Sequence, residues 1–323
     1  MRHHSRLHLE RDGWRALRLA FLDDNTLVAC GWQPRDPLLR LWLIDGSLLH
    51  AGGAPLRRMI DTGGPRLGTV TLAADGALVA CGYSPPSLEP GQPCGRVWAL
   101  PRGRLIAELA AGEPPAAALA LAFAGADLLA AGHDDAISLW SLADGAQLAR
   151  LLGAFGSLVT ALAAADHVLA AAAETADVRL WRLPDSAPLC RFEAGQGVCA
   201  LALSADGSRL ACVTGTPAEA RRAYERGAAF AHQVEVWSLD SVPRRLAAAE
   251  TAAPACDLRF APGGARLAAA CGDLLLWDAA AGALAARLPG GQGRGYTAAA
   301  FAPGGGLLAA GGTSGVVDVW ELD

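Results

Sequence analysis

The chain has 323 residues, 52% of them hydrophobic and only 18% charged, a balance that excludes intrinsic disorder and supplies enough apolar surface for a large core. The net charge of −5 comes with no cluster of Arg, which argues against a nucleic-acid surface, because phosphate binding rests on concentrated positive charge. Lysine does not occur and asparagine occurs once, at Asn25, so modification of lysine side chains is excluded and the bias points to a GC-rich, bacterial genome.

In chain order, "MRHHSRLHLE" lacks the apolar core of a secretory signal, so the expected location is the cytosol. Within it, about residues 5–10 read as a strand. From Trp14 onward the chain is periodic. Phrases of five to seven residues recur, each bounded by Gly, Asp or Pro turns, and each therefore reads as a strand. The first is visible as "VTLAADG", "LALAFAG", "LALSADG", "LRFAPGG" and "AAFAPGG". The second runs "TLVACG", "ALVACG", "DLLAAG", "HVLAAA", "RLACVT", "RLAAAC" and "LLAAGG". The third carries a tryptophan, at Trp42, Trp98, Trp140, Trp181, Trp237, Trp277 and Trp320, with spacings of 56, 42, 41, 56, 40 and 43 residues. A fourth follows, as in "AQLARLL", "APLCRFE" and "ALAARLP". The most apolar stretches, such as "AAALALAFAGADLLAAG", are alanine-rich and broken by Asp, so none reads as a membrane span.

Four short antiparallel strands, repeated seven times at a period near forty, are the blades of an all-β, seven-bladed β-propeller expected as one domain over residues 1–323. The seventh blade has only three strands of its own, at about 296–302, 306–311 and 315–321, which leaves an edge unpaired. The surplus strand near the start is expected to fill that edge and close the ring.

On these residues the chain resembles the WD40-repeat β-propellers over essentially its whole length, through the recurring "SADG" or "APGG" turn and the "LW" strand. It departs from the pattern as well. Only Trp277-Asp278 keeps the Trp-Asp pair, the Gly-His dipeptide before each first strand is missing, and the turn aspartate six residues before tryptophan, present as Asp134, is absent from most repeats. The hydrogen-bonded tetrad of that family is therefore mostly lost, and apolar packing is expected to hold the blades together.

The eight cysteines read as small core residues: Cys30, Cys81, Cys212 and Cys271 fall near the end of the second strand, Cys199 and Cys256 in the first. No C-x-x-C occurs, so neither disulfides nor a metal site is expected, and the seven histidines show no zinc spacing. No nucleophile elbow or phosphate-binding loop occurs either. The reading is a protein with no cofactor and no enzymatic activity.

Three connections between second and third strands are longer than the rest, at about 32–37, 83–94 and 214–231, and propeller geometry puts them on one face. In the longest, Thr216, Pro217 and Glu219 form a capping-box pattern that predicts a short helix over 217–226. Two readings of that helix stand: it folds back on the propeller, or it faces a partner. On the second reading the contacts are Trp32, Arg35, Tyr83, Glu89, Arg221, Arg222, Tyr224 and Phe230, because aromatic and Arg residues dominate interface energetics. The expected function is a non-catalytic scaffold that binds one or more proteins through this face, and neither nucleic acid nor membrane. The alternative is an enzyme or a small-ligand or peptide binder that uses the central channel, where Arg15, Arg18, Asp134, Asp257, Arg259, Arg294 and Tyr296 supply the polar groups.

Overall fold

Runs of four to eight residues rich in Val, Leu and Ala, closed off by Gly or Asp, are too short for stable helices and pair as strands instead. The computed structural model describes residues 1–9, 16–32, 38–47, 56–63, 67–83, 93–110, 120–133, 135–152, 155–165, 167–215, 219, 231–251, 257–290, 295–312 and 314–322. Its strands form seven four-stranded antiparallel sheets. Six sheets are consecutive in sequence, at 16–61, 67–110, 120–152, 159–193, 198–251 and 257–288. The seventh combines Tyr296–Phe301, Leu307–Gly312 and Val316–Glu321 with Arg2–His8 on its outer edge. The first strands of the sheets touch one another in cyclic order, blade seven against blade one, so the sheets are the blades of a closed propeller. The added strand runs Arg2–His8, a few residues earlier than the alternation suggests.

The core is divided among seven apolar clusters, one at each interface between blades. Ala and Gly in the second strands allow neighbouring sheets to approach. At Gly132, an added Cβ would come within 2.6 Å of the Val159 side chain of the next blade. The hairpin turns repeat a second device. Asp45, Asp75, Asp144, Asp185, Asp206 and Asp278 each accept the backbone N–H two residues further on, which closes the turn locally. No helix among the described residues is long and apolar enough to cross a membrane.

Register corrects one part of the repeat. In six blades the tryptophan pairs with a large aliphatic residue of the second strand: Val79 with Trp98, Leu129 with Trp140, Leu169 with Trp181, Leu210 with Trp237, Leu267 with Trp277 and Leu308 with Trp320. In blade one the equivalent residue is Leu27, across from Phe21 of the first strand as Leu267 is from Phe260, and its partner is Ile44. Trp42 therefore lies two residues out of register, on the same face, opposite the small Ala29. An indole fits there because Ala leaves room, and Trp42 still packs against blade seven. The cysteines are corrected the same way. Cys81 and Cys212 are equivalent, opposite Arg96 and Glu235, whereas Cys30 and Cys271 sit at other positions. All four are buried. Burial pushes the Cys81 thiol up to about 12, so it stays protonated and behaves as a small apolar group.

Candidate functional site

Strand alternation gives the disc two unlike faces. Connections from first to second and from third to fourth strands form the turn face. Connections from second to third strands, and from each blade to the next, form the opposite or crossover face. The third strand begins at the crossover face, so the residue two before each tryptophan stands just beneath it.

Among the described residues, that position carries two buried carboxylates, Glu235 and Asp318, and two half-buried arginines, Arg96 and Arg179. In blade two it is Arg96, whose guanidinium donates to the Thr62 carbonyl in the connection from blade one and pairs with Glu108 at 2.7 Å. In blade four Arg179 lies 5.0 Å over the Phe155 ring in the connection from blade three. In blade five Glu235, fully buried, accepts the Gly195 N–H at 3.3 Å and the Trp237 indole N–H at 3.0 Å, with Arg245 also at 3.3 Å. In blade seven Asp318 accepts the Tyr296 O–H at 2.7 Å and Arg6 Nε at 2.6 Å, with His3 at 3.3 Å. Arg96, Arg179 and Glu235 each tie their own blade to the connection entering it, whereas Asp318 joins three strands within blade seven. Burial pushes the Asp318 carboxyl upward, but the hydrogen bonds from Arg6, Tyr296 and His3 outweigh it and hold the pKa below the ordinary value. Tyr296 moves up, through burial first and then through its bond to Asp318.

Polar ties thus stand beside the apolar packing expected to hold the blades together. The indole nitrogens of Trp140 and Trp277 are buried and make no hydrogen bond, as expected if those rings serve as apolar packing. Sequence reading missed the tying residues because their types differ: Arg96, Arg179, Glu235 and Asp318 share a position but not a chemistry. The usable signal was a charged residue two before tryptophan, in a strand otherwise apolar.

The expected partner contacts are redistributed. Tyr83 is a correction: it is fully buried, in the cluster between blades one and two, and its O–H donates to the Thr62 carbonyl at 2.6 Å. A phenol at the end of a second strand reaches the neighbouring connection more readily than solvent. Trp32 ends the second strand of blade one. Arg35, Glu89, Arg221, Arg222, Tyr224 and Phe230 lie outside the described residues. The base of the long blade-five connection is described. Glu219 is helical, and its carboxylate accepts the Gly197 N–H at 3.1 Å, while His232 Nδ1 lies 2.7 Å from the Gly215 carbonyl. Both stems of that connection are thus bonded to the propeller.

At the channel, Asp257 and Tyr296 are corrected from free ligands to structural groups. Asp257 is buried, accepts the Ala299 N–H of blade seven at 3.1 Å and lies 3.3 Å from Arg259 of its own strand. Tyr296 is buried against Trp320 and bonded to Asp318. Asp257 joins blade six to blade seven and Tyr296 braces blade seven from within, which accounts for their polarity without a ligand. Arg18 is half-buried on the first strand of blade one. Arg15, Asp134 and Arg294 lie outside the described residues. Among the described residues, no group of three His, Cys, Asp or Glu side chains is arranged to hold a metal ion.

Compared with known proteins, the chain matches no family model and no curated sequence. The architecture and the crossover face are therefore read on their own terms.

Proposed function

We propose that the protein is a non-catalytic scaffold of the cytosol, a divergent bacterial relative of the WD40 propellers that holds one or more partner proteins on its crossover face. The observation that carries this reading is the distribution of chain length. Between second and third strands, blade five spends residues 215–231, blade two 84–92 and blade one 33–37, against 133–135, 174–176 and 313–315 in blades three, four and seven and only Gly272 in blade six. Most of the added chain leaves from this face; the exception is the third-to-fourth connection of blade one, 45–55, on the opposite face. The opposite face is limited mostly to tight hairpins closed by aspartate. Loops on a rigid scaffold are where binding surfaces are built, and a partner footprint of about 800 Å² fits easily on one face of such a disc. Of the channel set, Asp257 and Tyr296 are engaged in hydrogen bonds that hold the propeller together, which favours the face over the channel.

The test is affinity capture from the native host with the full chain and with a variant lacking residues 217–230, both shown to be folded by circular dichroism. A stoichiometric partner that is retained by the full chain and lost with the deletion is the expected result. Equal capture by both forms, or capture of nothing by either, overturns the reading. In the second case a small-ligand screen with Arg18→Ala and Arg259→Ala as controls takes up the channel alternative.

A further inference from the structure

We propose that β1, the strand Arg2–His8 on the outer edge of blade seven, is a detachable latch: it opens and recloses as one unit while the other six blades stay folded, and Asp318 is the residue that keeps it shut. The argument starts from chain connectivity. In blade four, the fourth strand Ala187–Glu193 follows the third strand Asp177–Arg182 after a four-residue turn, 183–186. If that strand frays, the turn keeps it beside its partner. β1 has no such turn to the strand it pairs with, Val316–Glu321. Arg6 and Asp318 are 312 residues apart in sequence, so the pairing closes a loop that is essentially the whole propeller.

What holds the latch is concentrated in a few groups. Leu7 and Leu9 are buried in the cluster between blades seven and one, and Leu9 N–H donates to the Gly315 carbonyl at 2.6 Å. Arg6 reaches both oxygens of Asp318, at 2.6 and 3.1 Å, and His3 approaches one of them. Tyr296, from the first strand of the same blade, donates to the other. The remaining ionisable groups of the seam are Arg2, opposite Glu321, and His4 and His8 on β1 itself. An opened latch therefore exposes a carboxylate that is 3% exposed when shut, beside Val317 and Val319 on an unpaired backbone edge. The pattern that fits this edge is Arg followed by Leu, as β1 carries it: Arg6 opposite Asp318 and Leu7 opposite Val317.

Hydrogen–deuterium exchange of the full chain at neutral pH, read by mass spectrometry on peptides covering residues 2–8 and 187–193, tests the proposal. The expected result is exchange of β1 at least about tenfold faster than Ala187–Glu193, with Asp318→Asn accelerating β1 by about another tenfold and leaving Ala187–Glu193 unchanged. Equal exchange of the two strands in the unaltered protein overturns the proposal, as does acceleration of every blade together by Asp318→Asn. If Asp318→Asn does not fold, Arg6→Gln removes only the half-exposed partner. It must then accelerate β1 selectively, and a uniform effect on all strands overturns the proposal as well.

Discussion

Blades four and seven solve the same local problem with the same groups. In each, a carboxylate on the third strand meets an arginine on the fourth: Asp177 with Arg191 at 2.7 Å, Asp318 with Arg6 at 2.6 Å. The arginines sit at the same register position, and Arg57, Arg150 and Arg287 occupy it in blades one, three and six. What differs is the length of chain between the partners, 14 residues in blade four and 312 in blade seven. In blade four the covalent turn already enforces the pairing, and the ion pair adds little. In blade seven the non-covalent contacts do all the closing. An ion pair's value thus depends on what else already holds its partners together.

The largest separation between the two blades is expected from removing the carboxylates. Asp318→Ala leaves Arg6 and the buried Tyr296 O–H without their partner and is expected to lower the unfolding free energy by about 3 kcal/mol. Asp177→Ala is expected to cost about half as much. Denaturant midpoints of the two variants check this, and equal losses would erase the contrast. Next comes pH. The folded pKa of Asp318 lies below its ordinary value. Its contribution is therefore fully present above the ordinary aspartate range and is lost as pH falls through the depressed folded value. Thermal midpoints followed from pH 7 to 3 should fall more steeply at the acid end for the unaltered protein than for Asp318→Asn. A smaller effect, about 1 kcal/mol, is expected for Tyr296→Phe, which deletes one hydrogen bond to the carboxylate and preserves the packing against Trp320. Smallest is Arg191→Gln, whose side chain is 60% exposed; a change within about 0.5 kcal/mol is expected from the same denaturation experiment.

The periodic part of the fold was legible because each strand repeats an apolar phrase ended by a turn, and the unpaired edge of blade seven was legible from strand counting alone. Trp42 shows where that legibility stops. A tryptophan near the expected spacing looks like the others, and only the pairing of Leu27 with Ile44 reveals a two-residue offset. Tyr83 and Asp257 show a second limit. Polar or aromatic residues near a loop or channel look available for binding, yet whether they face solvent or a neighbouring blade depends on contacts between blades, which local pattern does not encode. Thr62, a connection residue, gains its role only because its carbonyl meets both Tyr83 and Arg96.

The aspartates that close the hairpins reach beyond their turns. Asp45, Asp75, Asp144, Asp206 and Asp278 are all exposed on the turn face, and hydrogen bonds from Ser204 and Ser208 lower Asp206 to about 2, so that it stays ionised well into acid. Residues that shape backbone corners thereby also set fixed negative charges on that face, each felt over a distance of about 10 Å that shrinks as salt is added.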